Sequence, residues 1–159
     1  MAKHKKYDLI LDQEFDFDMI GISSHHNDYR LAWSINSELG LSLELSKEPY
    51  IVSASKKGGG SQTEFNMYEF HDSENHLDYY LIKNKRSAAS NSGIDQKKNE
   101  GIKFLIPEKQ SVDFFLFICE RGMVDIDEMI KKLRNVSSIL AVFAFEPEEI
   151  ASSEKLIFN

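Results

Sequence analysis

Cysteine, proline and tryptophan are scarce in this chain, at one, three and one among 159 residues. A lone Cys119 excludes an internal disulfide and any metal site built from several thiolates. Its place after the apolar run Phe114-Phe115-Leu116-Phe117-Ile118 marks it as a small buried hydrophobe. Long hydrophobic runs are missing as well. Behind the basic start Met1-Ala2-Lys3-His4-Lys5-Lys6, polar residues interrupt every apolar stretch, so neither a signal peptide nor a membrane span is expected, and the cytoplasm is the expected location. Positive charge is in deficit, with 19 Lys and Arg against 26 Asp and Glu and a net charge of −7, which weighs against a nucleic-acid partner held by the overall field. A chain of this length can bury a core without metal or disulfide staples, so one domain over 1–159 is expected.

What is present reads as alternating strands and two helices. Residues 7–11 form a short apolar run, and Phe15, Phe17 and Met19 alternate with Asp16 and Asp18 at the period of a half-buried strand. Leu31, Ala32, Ile35 and Leu39 recur at helical spacing ahead of Gly40, which predicts a helix over 25–39 closed by a C′ glycine. Tyr29 and Trp33 sit one turn apart on that helix but away from its apolar stripe; a loop of the same chain or a partner surface must cover them. Extended segments follow at 41–45 and 50–54, then an aromatic hairpin with strands at 65–71 and 77–83 around a polar turn. Mobile loops are expected near 55–62, which is lysine- and glycine-rich, and over 86–100, which has almost no large apolar residue.

The last third gives the strongest pattern: a strand over 112–119, a helix over 126–134 capped by Asp125, and a strand over 139–145. Both strands are apolar on successive residues, which predicts two central, parallel neighbours joined by a crossover helix. The fold class expected is α+β: a two-layer sandwich of a mixed, mostly antiparallel sheet of five to seven strands, with two helices on one face. A ferredoxin-like arrangement with an added hairpin is the specific expectation. Two helices on one face would leave the other face for chain segments or a second subunit, so a homodimer is a further expectation.

The run Ile106-Pro107-Glu108-Lys109-Gln110-Ser111-Val112-Asp113-Phe114 resembles the signature of the bacterial IPExxxVDY family. The resemblance extends to residues 16–25, the Tyr29-Arg30-Leu31-Ala32-Trp33 helix, the Tyr79-Tyr80-Leu81-Ile82 strand and the closing Leu156-Ile157-Phe158. It implies a family without an established activity. Phe114 stands where the family's name has tyrosine, so a phenol there is not required for proton transfer, while a ring can still pack. Ile106, Pro107, Glu108, Val112, Asp113 and Phe114 therefore read as structural.

Of the chemistry-bearing constellations, the turn from Gly21 to Arg30 is the foremost. A helix starting near His25 would aim free N–H groups at Ser23, Ser24, His25, His26 and Arg30, and could hold a phosphate or carboxylate; ordinary helix capping by Ser24 or Asn27 is the competing account. No metal site is expected: His25, His26 and Asp28, even with His71, Asp72 or His76, lack ligand spacing, and Asp12, Glu14, Asp16 and Asp18 read as a solvated strand edge. No nucleophile motif or cofactor signature occurs. Lys83, Lys85, Arg86, Lys97 and Lys98 lie near Tyr79 and Tyr80, but solvated loop charge outweighs an RNA contact. The functional expectation is a non-catalytic binding or regulatory module for a protein partner or a small anionic ligand. The alternatives are an enzyme of unrecognised type using the 21–30 turn, or an accessory RNA-contacting protein.

Overall fold

The structure, a computed structural model, describes residues 17–53, 62–87, 102–120, 124–152, 156 and 158. The expected strand at 7–11 and most of the two expected loops lie outside the described residues. Their ends do not: Gln62 opens one strand, and Lys85–Ser87 pairs with Ile102–Phe104, so Arg86 sits in a ladder rather than in a loop.

A six-stranded sheet forms the centre. Its strands, from one edge to the other, are β10 (Ile139–Phe145), β1 (Phe17–Ser24), β9 (Phe114–Glu120), β6 (Leu77–Lys83), β5 (Met67–Asp72) and β2 (Glu44–Leu45). Every pairing among them is antiparallel. Two small ribbons stand apart: β3 (Tyr50–Ser53) with β4 (Gln62–Phe65), and β7 (Lys85–Ser87) with β8 (Ile102–Phe104). The fold is an α+β sandwich with a mostly antiparallel sheet, as the sequence pattern indicates.

The neighbours of the crossover helix differ from expectation. β9 and β10 run in the same direction, but β1 lies between them and pairs with both: Met19 faces Phe117 on one side and Phe145 on the other. Among the described residues β10 is therefore an edge strand, with Leu140 and Phe143 exposed, rather than a central one. Apolar residues in succession signalled coverage for β9, whose residues Phe114 to Ile118 are all buried; in β10 the same signal is only half used. Asp18, read as part of a solvated edge, lies on this central β1 and faces Ile118.

The two helices start and stop where their side chains satisfy loose backbone groups. α1 (Asp28–Leu39) is capped by the Asn27 side chain, which accepts from the Arg30 N–H at 3.1 Å, and ends at Gly40, whose φ of 72° only glycine adopts without strain. It begins three residues later than expected, because Asn27 rather than an earlier residue supplies the cap. α2 (Ile126–Arg134) is capped by Asp125, which accepts from the Glu128 N–H, and carries Lys131, Lys132 and Arg134 at its negative end.

Both helices cover one face of the sheet. Leu31, Ala32 and Ile35 of α1 and Met129, Ile130 and Leu133 of α2 bury against Ile20, Ile22, Leu81, Leu116 and Val142. Each such aliphatic side chain contributes about 1.5–3 kcal/mol on burial. The second face is covered by the chain itself. Phe17, Met19, Tyr80, Ile82, Phe115 and Phe117 pack under the β3–β4 hairpin, under residues 105–112 and under Ile150, Leu156 and Phe158. Phe158 is the hub, with its ring centroid 4.7 Å from Phe117, 4.8 Å from Tyr80 and 5.4 Å from Phe17. That cover removes the reason for expecting a second subunit on this face. Cys119 is half-buried at the cluster's margin.

Gly21 has a packing role. A Cβ there would come within 2.5 Å of the Phe145 ring and 3.1 Å of Val112, so only glycine lets the ring cross β1.

Candidate functional site

The loop of residues 105–113 is built around one buried amide. Asn84 is fully buried and makes hydrogen bonds in every direction: its Nδ2 donates to the Lys109 and Val112 carbonyls, both at 3.0 Å, and its Oδ1 accepts from the Ile106 N–H at 2.7 Å. Its backbone joins in, donating to Asp113 O and accepting from the Leu105 N–H, both at 2.8 Å. A buried amide so satisfied fixes the loop's path, and an unmet partner would cost about 1–3 kcal/mol.

The side chains from Ile106 to Phe114 then fall into place. Ile106 and Val112 are buried in the aromatic-side core, and Pro107 heads a 3-10 turn. Glu108 reaches the chain's last stretch, accepting from Ser152 N–H at 2.8 Å and Ser152 Oγ at 2.7 Å. Asp113 accepts from the Ser24 N–H at 2.9 Å, and Phe114 is buried on the helical side with Lys83 Nζ 5.9 Å from its ring centroid. These contacts are all internal to the protein.

The 21–30 turn is held in the same way. Ser23 Oγ donates to Ser111 O at 3.2 Å, and Ser24 Oγ donates to Ser138 O at 2.7 Å while accepting from the His26 N–H. Both hydroxyls expected to meet an anion are thus engaged in joining β1 to the loops before β9 and β10. Asp28 places a carboxylate in the first turn of α1, where an incoming anion would be repelled. His25 is exposed, and His26 and Arg30 turn to the outer surface of α1 instead. The expected five therefore separate: Ser23 and Ser24 bind the scaffold, while His26 and Arg30 join a different group.

That group is a shallow groove of about 460 Å³ along α1, lined by His26, Tyr29, Arg30, Trp33 and Ser34. Trp33 is 69% exposed and Tyr29 60% exposed. Among the described residues no loop covers these two rings. Beside the groove, burial, and then the charge of Asp28 and the Tyr29 phenol, push the Tyr68 phenol above its ordinary value. The rings could have been singled out from the sequence by their offset from the Leu31/Ile35 stripe; their degree of exposure could not.

The remaining candidates are taken up by local structure. His71 Nδ1 lies 3.0 Å from Asp78, and His76 occupies the tight turn after β5 with φ 58°. Among the described residues, no group of three His, Cys, Asp or Glu side chains could hold a metal ion. Tyr79 and Tyr80, near the basic residues Lys83, Lys85 and Arg86, are each 4% exposed and offer no face for a nucleic-acid base. Lys97 and Lys98 lie outside the described residues. An open groove of about 820 Å³ beside β2 mixes Glu44, Lys47, Glu48, Glu69 and His71 without convergence on a point. No helix among the described residues is long and apolar enough to cross a membrane. No protein-family model matches the chain, and no curated protein matches it.

Proposed function

We propose that the chain is a non-catalytic binding module of the cytoplasm that takes a protein partner on the outer surface of α1. One observation carries this reading: Trp33 and Tyr29 stand one helical turn apart and exposed, with Arg30 and His26 beside them. Large aromatic rings and arginine are the residue types that dominate binding energy at protein interfaces, because they bury much area at little entropic cost. The partner expected is a protein segment that offers apolar side chains to the two rings and a carboxylate to Arg30.

The engaged hydroxyls of Ser23 and Ser24 lend no support to a small anionic ligand or to acid–base chemistry at the 21–30 turn. The internal contacts of Ile106, Glu108, Val112, Asp113 and Phe114 support the reading of the IPExxxVDY-like signature as a structural clamp. The order β10-β1-β9-β6 supports a ferredoxin-like reading of the scaffold, with β5 and β2 added at one side.

The test is affinity purification of the tagged chain from its own cells, run in parallel with Trp33→Ala and Tyr29→Ala. Because both rings are exposed, each variant should keep its stability within about 0.5 kcal/mol. A stoichiometric partner held by the unaltered chain and lost from Trp33→Ala is the expected result. Partners retained in full by both folded variants would refute the proposal.

A further inference from the structure

The two edges of the sheet are defended unequally. β2 is two residues long, and Lys47, Glu48 and Pro49 follow closely, which blunts pairing by another strand. β10 is seven residues long, Ile-Leu-Ala-Val-Phe-Ala-Phe, without a charge or a proline, and its pairing with β1 is regular from Ala141 to Phe145, with a register shift only at its start. On its side away from β1 no strand pairs with it among the described residues. On this strand Leu140 is 61% and Phe143 42% exposed. A long, uncharged edge of this kind is a template for another strand.

The helix above the edge says which strand. α2 packs on β10 through Met129, Ile130 and Leu133 against Ile139 and Val142. At 100° per residue, Asp127, Lys131 and Arg134 share one flank of α2. That flank is turned toward β10, for Arg134 Nη2 donates to Val142 O at 3.3 Å. It is acidic toward the helix start and basic toward its end, a pattern complementary to itself when reversed.

We propose that two copies of this chain pair antiparallel through β10, about a twofold axis perpendicular to the sheet. Such an axis keeps both helical layers on one side and sets α2 antiparallel to its counterpart. Asp127 of each copy then faces Lys131 of the other, Arg134 gives up its bond to Val142 O as the new ladder forms, and Phe143 meets its equivalent across that ladder. The uncharged strand meets itself without repulsion even though each chain carries a net charge of −7. This surface is separate from the aromatic groove of α1, so a partner could bind each copy of the pair.

Sedimentation velocity of the full chain across a concentration series, up to about 100 µM to capture a micromolar Kd, tests the proposal. A dimer is expected, and Phe143→Lys should convert it to monomer while the far-ultraviolet spectrum and melting profile stay those of a folded chain. Asp127→Lys and Lys131→Glu should each raise the dimer Kd several-fold, and the two together should restore it. A folded monomer at the highest concentration overturns the proposal, as does a dimer indifferent to Phe143→Lys. Failure of the double charge exchange to restore the singly weakened dimer would overturn the antiparallel helix arrangement.

Discussion

The two faces of the central sheet are covered by opposite means. On one, two capped amphipathic helices lay Leu, Ile and Met side chains over the strands in a regular stripe. On the other, a short hairpin, the 105–113 loop and the closing residues cross an aromatic patch, held by Asn84 and by Glu108. Helical cover is local: each helix needs only its own spacing and caps. Strapped cover is cooperative, because its parts come from distant stretches and share a few polar fasteners. The strapped face should therefore concentrate the cost of substitution at single residues, while the helical face spreads it.

The largest effect should come from Phe117→Ala. Phe117 is fully buried and meets Phe17, Phe115 and Phe158 at centroid distances of 5.6, 6.0 and 4.7 Å. Its loss should lower stability by about 3–5 kcal/mol, read from the midpoint of a denaturant titration. A cost near that of an exposed residue would show that the straps relax to fill the space.

Asn84→Ala should follow, at about 2–3 kcal/mol, since it strands the Ile106 N–H and the Lys109 and Val112 carbonyls. Limited proteolysis of that variant should cut first within 105–113. Protection equal to the unaltered chain would mean that the amide is not what fastens the loop. The smallest effect belongs to the helical face: Asp125→Ala removes the N-cap of α2 and should cost about 1 kcal/mol, with no new proteolytic site in the straps.

The same contrast explains how much was legible in the sequence. β6 and β10 keep the bounds expected of them, and α2 starts and stops where Asp125 and its basic last turn indicate. Gly40 closes α1 as a C′ glycine should. These features depend on neighbours in the chain, which periodicity and capping describe. The insertion of β1 between β9 and β10 depends instead on residues far apart, and two apolar strands about a crossover helix look alike whether or not a third strand separates them. Asn84 was hidden for the same reason. Between Lys83 and Lys85 it reads as part of a solvated charge run, and only the return of 105–113 makes it an interior residue.

The candidate site was half legible. Tyr29 and Trp33 stood apart from the buried stripe of α1 by spacing alone, but Ser23 and Ser24 looked available because their acceptors, Ser111 O and Ser138 O, come from remote loops. A hydroxyl at a helix entrance has two uses, anchoring the turn or meeting a ligand, and residue type does not distinguish them.

The placement of β1 also bears on how the protein is made. Its two ladder partners lie far along the chain, so Met19 cannot find Phe117 or Phe145 until those later stretches have been made. Until then an apolar strand, with Met19, Ile20 and Ile22 all destined for the interior, has no lasting shelter. The fold's central stave is synthesised early and seated late, which favours slow acquisition of the native state and a need for chaperones on nascent chains.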